Sequence, residues 1–222
     1  MPAIRVDRTL RFLGQVVLCA ALALAALPVM AQQIYEDFVI AVANDRAAEV
    51  RGLLRRGIDP NTVDPNGDPV LLLAARAGNA ATVDVLLASR AGVNVRNKYG
   101  DSPLMVAALN GHLEIVQRLR ARGAEVNGSG WTALIFAATG GHDDIVRYLL
   151  AEGADINAAS PNGTTALMMA AREGRDSTVE LLLSRGASAV ARNQGGMGAL
   201  DFAKRNNDDP MAERLRRAGA RN

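Results

Sequence analysis

A register of glycines restricts this chain more than any other feature. One set stands at Gly67, Gly100, Gly130, Gly163 and Gly196, spaced by 33, 30, 33 and 33 residues. A second runs through Gly78, Gly111, Gly141 and Gly174. A third runs through Gly57, Gly123, Gly153, Gly186 and Gly219, with Arg90 in its place once. Self-similarity at this period means that one small unit recurs and that no copy buries its apolar face alone. Neighbouring copies must stack, and stability must build up along the row.

Asn97–Asn127 displays the unit best. Asn97-Lys98-Tyr99-Gly100 is a turn, with glycine at the position that needs positive φ. Ser102-Pro103 starts a helix, Ser as N-cap and Pro at the first helical position, where a missing N–H costs nothing. Leu104, Ala107 and Ala108 share one face. Asn110-Gly111 ends this helix. Leu113, Ile115, Val116 and Leu119 are the buried side of a second helix, which stops at Gly123. The fold class is therefore all-α. Aromatic residues are only 4% of the chain, which suits helices packed closely through Ala and Leu.

The first 31 residues differ in kind. Arg5, Arg8 and Arg11 precede Phe12–Leu27, an apolar run of 16 residues broken by Pro28. Val29-Met30-Ala31 places small residues before Gln32. The pattern is that of a secretory signal peptide cleaved after Ala31, and the run is shorter than the roughly 20 residues a spanning helix needs. A retained anchor is the alternative. Cys19 lies mid-run, after Leu18, and reads as an ordinary apolar signal residue. Cleavage would leave no cysteine, compatible with an oxidising compartment. The expected location is a bacterial periplasm, with secretion as second choice and no membrane insertion after cleavage. The chain has 25 basic and 23 acidic residues; without residues 1–31, 22 of each remain. A neutral chain argues against a nucleic-acid partner.

Period and residues together resemble ankyrin repeats. Ser102-Pro103-Leu104, Gly111-His112-Leu113-Glu114-Ile115-Val116 and Gly153-Ala154-Asp155-Ile156-Asn157 carry the likeness. It covers 32–222 and implies a solenoid of about six helix–turn–helix units with short β-turn fingers. The N-terminal cap is 33–63, the internal units are 64–96, 97–126, 127–159 and 160–192, and the C-terminal cap is 193–222. Asp45 and Asn207 stand where internal units have the mid-unit glycine. Three departures from the family pattern carry expectations. The frequent first-helix His is replaced by Leu72, Met105, Ile135, Met168 and Asp201, so its polar network is expected to be missing or rebuilt by apolar packing. The turn Asn127-Gly128-Ser129-Gly130 is three residues short, so its finger should retract and leave a notch. Arg90, with Gly92 just after it, implies a shifted end to that second helix.

Residues that suggest chemistry have plainer explanations. His112 and His142 occupy equivalent positions at second-helix starts, and repetition accounts for both. Asp143-Asp144 and Asp208-Asp209 suit the positive ends of helices. Met168-Met169 fits a core filler rather than a soft-metal site. Arg118, Arg120 and Arg122, and Arg214, Arg216 and Arg217, suit a solvated outer face. Asn127-Gly128-Ser129 and Asn162-Gly163-Thr164 match a glycosylation pattern, yet Asn-Gly is also what such turns require. No phosphate loop or nucleophile–base pair is visible. The expectation is no enzyme activity, no cofactor and no metal.

The resemblance implies a protein partner bound along the fingers and the exposed side of the first helices by a chain that is monomeric when free. By register the contact residues are Asp68, Arg76, Lys98, Tyr99, Asp101, Leu109, Trp131, Thr139, Asn162, Thr164 and Arg172. Tyr99 and Trp131 flank the shortened turn and lead, since Trp, Tyr and Arg dominate interface energies. Two placements are open for Trp131, out on the finger or folded back over its own unit. The expected function is an exported, non-enzymatic interaction module for an envelope protein; the alternative is a periplasmic inhibitor or immunity protein.

Overall fold

The computed structural model describes residues 30–221. The predicted signal peptide falls almost wholly on residues 1–29, outside the described residues. Helix α1 spans 30–43. It is followed by α2 (Ala47–Arg55), α3 (Val70–Ala77), α4 (Ala80–Ala88), α5 (Pro103–Leu109), α6 (Leu113–Ala121) and α7 (Ala133–Gly140). The remaining helices are α8 (Asp143–Ala151), α9 (Ala166–Arg172), α10 (Asp176–Ser184), α11 (Ala199–Arg205) and α12 (Asp209–Arg217). They form six helix hairpins. One row stacks α3, α5, α7, α9 and α11; a second stacks α2, α4, α6, α8 and α10. The core is a continuous apolar sheath between the rows, and Leu72, Leu86, Ile135, Val146, Leu149 and Leu182 are wholly buried in it. The fold is the all-α repeat solenoid expected. Among the described residues, no helix is long and apolar enough to cross a membrane.

Local chemistry sets the helix ends. Ser102 Oγ accepts the Met105 amide, and Thr132 and Thr165 do the same for Ile135 and Met168. At the far end the mid-unit position turns left-handed, and Asp45 (φ 53°) and Asn207 (φ 56°) adopt that conformation in the terminal units. At Gly111 a second constraint applies: a Cβ there would lie 2.6 Å from the His142 ring. His142 Nε2 donates to Leu109 O at 2.9 Å, and His112 Nε2 to Arg76 O at 3.2 Å. These histidines are staples between successive units. Arg175 Nε does the same work on Thr139 O at 3.1 Å.

Two expectations need correction. Helix α4 does not end out of register: it stops two residues before Arg90, as α6 and α8 stop two residues before Gly123 and Gly153. Arg90 itself takes φ 67°, a strain of roughly 1–2 kcal/mol for a residue with a Cβ. Gly92 meanwhile donates its amide to Asn61 Oδ1 at 2.8 Å. Nor is the first-helix polar link replaced by apolar packing throughout. Met105 Sδ accepts the Ser102 amide at 3.3 Å, and Asp201 Oδ2 accepts the Gly198 amide at 2.8 Å. Where Leu72 stands, the N-cap is Pro69, which has no N–H to satisfy. Ile135 and Met168 are simply buried.

An asparagine ladder ties the units together along one edge. Asn61 Oδ1 accepts Gly92 N, Asn94 Oδ1 accepts Glu125 N, Asn127 Oδ1 accepts Asp155 N and Asn157 Oδ1 accepts Ser188 N, all at 2.8–2.9 Å. Asn94 and Asn127 also donate to Gly123 O and Gly153 O. The series ends at Val190, which is 61% exposed. Asn94→Ala is expected to cost about 1 kcal/mol, the net worth of such a hydrogen bond, while Val190→Ala leaves the urea midpoint unchanged. Equal midpoints for the two variants would remove the ladder from the account.

Candidate functional site

The finger turns are built on a polar anchor. Asp64 Oδ1 receives the amides of Asn66 and Asp68, Asn97 Oδ1 those of Tyr99 and Asp101, Ser160 Oγ that of Thr164 and Asn193 Oδ1 that of Met197. Each turn is closed by main-chain bonds, for example Asn97 N to Asp101 O and Gly100 N to Asn97 O. The turn entering the fourth unit is three residues short of this plan, measured from Asn127 on the ladder to Thr132 at the helix cap. The shortening puts Asn127 at the ladder and the anchor position at once, and its Oδ1 accepts the Asp155 amide instead of a turn amide. Trp131 stands at the register of Asp68, Asp101, Thr164 and Met197, but no anchor holds its amide out on a finger.

The ring of Trp131 consequently drops onto the first helix of its own unit. It meets Phe136 edge-on, with centroids 6.1 Å apart and planes at 85°, a geometry favoured by ring quadrupoles. It remains part-exposed. Both placements left open by the sequence thus hold in part: Trp131 folds back, and one side of it faces outward. A cleft of about 340 Å³ opens there, lined by Tyr99, Asp101, Leu109, Trp131, Phe136, Thr139 and Met169. Tyr99 overhangs it, 72% exposed, with Lys98 Nζ 5.2 Å from its ring centroid.

Five expected contact residues therefore come together: Tyr99, Asp101, Leu109, Trp131 and Thr139, with Lys98 at the rim. Phe136 and Met169 complete the floor and were not anticipated. They belong to a row, Leu73, Val106, Phe136, Met169 and Phe202, one turn before the exposed first-helix residue of each unit. The signal was there in the enlargement of that position from the fourth unit onward. Asn162 and Arg172 are exposed but lie outside the cleft; Arg172 pairs with Glu173 at 3.4 Å. Asp68 and Thr164 are corrections. Both are buried, their places taken up by the fingers they help to build, so neither presents a side chain to a partner.

Asp68 is the hub of a polar chain that stiffens two fingers. Its carboxylate receives Arg76 at 2.7 Å and Asn97 Nδ2 at 3.0 Å, and Asn97 Nδ2 also reaches Asp101 at 3.3 Å. Arg76 is thereby occupied, although exposed. Burial pushes the Asp68 carboxyl up, but the hydrogen bonds from Arg76 and Asn97 and the charges of Arg76 and Lys98 outweigh it and hold it below the ordinary value of 3.8. A depressed carboxyl contributes stability above its unfolded value and loses it as pH falls through the folded one. The stability gap between the parent and Asp68→Asn is expected to be constant above pH 3.8 and to shrink below it. A gap that persists unchanged into strong acid would contradict this assignment.

The other candidate groups are structural. Asp208 Oδ1 caps α12 by accepting Met211 N at 3.0 Å, and Asp143 Oδ1 accepts the Thr178 hydroxyl at 2.6 Å from the next unit. Met168 and Met169 are buried. Arg118 bonds Asp84 and Glu114, Arg120 bonds Glu152, and Arg214 bonds Asp176, so the outer-face arginines are largely linked to acids of adjacent units.

Comparison with known proteins agrees with this architecture. The family model for ankyrin repeats in three copies matches residues 38–129 and 122–193. Alpha-latrocrustotoxin-Lt1a of Latrodectus tredecimguttatus is 38% identical over 91 residues, 40% of this chain and 6% of that protein. The mitochondrial disaggregase of Homo sapiens is 47% identical over 62 residues, 28% of this chain and 9% of the other. Ankyrin repeat domain-containing protein 29 of Danio rerio is 46% identical over 55 residues, 24% of this chain and 18% of its own length. The chain thus spans less than a fifth of each of these relatives, and the likeness is one of repeats. Ankyrin repeats are a protein-interaction fold, which is the kind of surface the fingers and first helices form here. With matched residues covering most of its length and every unit built on the same hairpin, the chain belongs to the ankyrin-repeat family.

Proposed function

We propose that this chain is an exported, non-enzymatic interaction module that holds a periplasmic envelope protein in the cleft between Tyr99 and Trp131. The carrying observation is the shortened finger. It puts Trp131 at the register where other fingers carry Asp68, Asp101 and Thr164, beside Tyr99, which is 72% exposed with Lys98 Nζ against its ring. Aromatic side chains of this kind are the usual anchors of interface energy, and the Lys98, Asp101 and Thr139 rim supplies hydrogen-bonding groups around them.

A photo-crosslinking residue in place of Tyr99 tests the site directly. It should trap a specific envelope protein, and the same residue at Asn66, on a finger away from the cleft, should not. Equal trapping from both positions would reject the cleft as the contact. Export has its own readout: N-terminal sequencing of protein recovered from the periplasmic fraction is expected to begin at Gln32. Recovery of chain that still begins at Met1 in the membrane fraction would replace cleavage by anchoring.

A further inference from the structure

A second cleft, of about 540 Å³, lies on the opposite side from Trp131, between the second helices of the first two units. Its floor is apolar: Leu54 and Ile58 are part-buried and Val85 is 5% exposed. Three arginines surround it, Arg51, Arg55 and Arg122. Arg55 stands in the last turn of α2, where the helix end favours a cation. Arg51 lies one turn earlier on the same face, where no helix-end argument applies. Arg122 comes from the third unit, and its Nη1 donates to Leu87 O at 3.1 Å, which aims it across the gap.

Elsewhere on this face arginines meet acids of neighbouring units, as Arg120 meets Glu152 and Arg214 meets Asp176. Here the match fails. Asp84 is the carboxylate lining the cleft, and Arg118 holds it. Neither Arg51 nor Arg55 has an acidic partner among the described residues. Three guanidinium groups over an apolar floor are a poor arrangement for an empty surface. Guanidinium groups are the side chains best suited to a planar or tetrahedral oxyanion.

We infer that this cleft binds an anionic group, phosphate or carboxylate, carried on an apolar body, as in a lipid-derived amphiphile. Arg51 and Arg55 would grip the anion, Arg122 would close the third side, and Leu54, Ile58 and Val85 would seat the chain. The inference is independent of the Trp131 cleft and of any protein partner.

Titration calorimetry with dodecyl phosphate below its micelle concentration tests it, with inorganic phosphate and dodecyl maltoside as comparison ligands. The expected result is saturable one-to-one binding of dodecyl phosphate, at least tenfold tighter than either comparison ligand. Arg51→Gln with Arg55→Gln should weaken it at least tenfold. Both side chains are exposed, so the double variant should keep the parent's circular dichroism and melting curve. Tyr99→Ala with Trp131→Ala should bind dodecyl phosphate like the parent. Equal affinity for dodecyl maltoside would discard the anion requirement, and equal affinity for inorganic phosphate would discard the apolar body. No saturable binding, or full binding by the double Gln variant, would overturn the proposal outright.

Discussion

Tyr99→Ala combined with Trp131→Ala is expected to weaken partner capture by about a hundredfold or more, while the array stays folded. Hot-spot residues typically cost 2 kcal/mol or more each when truncated, and about 1.4 kcal/mol is a factor of ten. The two sums are not additive, because both rings face one cleft, so the estimate is kept below their product. Stability should move much less. Tyr99 is largely exposed, and the Trp131–Phe136 pair is worth roughly 1 kcal/mol beyond area burial. Asn162→Ala and Arg172→Ala, on the next unit and outside the cleft, should change capture less than fivefold by the surface-residue expectation. Binding measured by interferometry against the crosslinked partner decides the matter. Full-strength capture by the double variant would show that the aromatic notch is not where the partner sits.

The second large effect is on the fold. Ile135 lies on α7, wholly buried, and α7 packs on α5 on one side and α9 on the other. Ile135→Ala removes buried methylenes at the middle of the stack and is expected to cost about 2–5 kcal/mol, against a total of roughly 5–15 for a domain of ordinary stability. The loss falls on two inter-unit interfaces at once. In a chain whose units touch only their neighbours, a weak middle uncouples the ends. Urea unfolding should therefore broaden or divide into two transitions, with a lower apparent m-value. Thr139→Ala, on the same helix at its exposed end, should leave a single transition. A sharp, parent-like transition in Ile135→Ala would mean that the array does not depend on its centre.

The repeat itself was readable because its signals have local physical causes. Glycine in the left-handed region, Ser-Pro at a helix start and small apolar residues at helical spacing act within one unit, and each recurs. That is why the helices, the turns and the shortened finger could be placed from residue types alone. The misreadings came where a residue's role depends on a neighbour not adjacent in sequence. Arg90 at a glycine position suggests a moved helix end, but its loop is pinned by Asn61 of the preceding unit through Gly92, and Arg90 itself takes the positive φ in place. Met105 looked purely apolar, yet its sulfur accepts the Ser102 amide. Asp68 and Thr164 looked available because their register is a contact register, whereas the fingers enclose them. The candidate cleft was half visible. Tyr99 and Trp131 stand out as unexplained by the repeat; Met169 reads as a core filler, and nothing local to it or to Phe136 reveals that a shortened turn in the fourth unit uncovers them.

The exposed valine at the end of the asparagine ladder bears on how such a chain can lengthen. Asn61, Asn94, Asn127 and Asn157 each hold the loop of the unit that follows; Val190 sits at the next step with no loop in its grasp. A tandem duplication of an internal module placed before residue 190 would carry its own asparagine and join seamlessly. The same module spliced after 190 would arrive at a seam with no side-chain amide to receive it. A Val190→Asn change would give this step of the ladder the side-chain amide that it lacks.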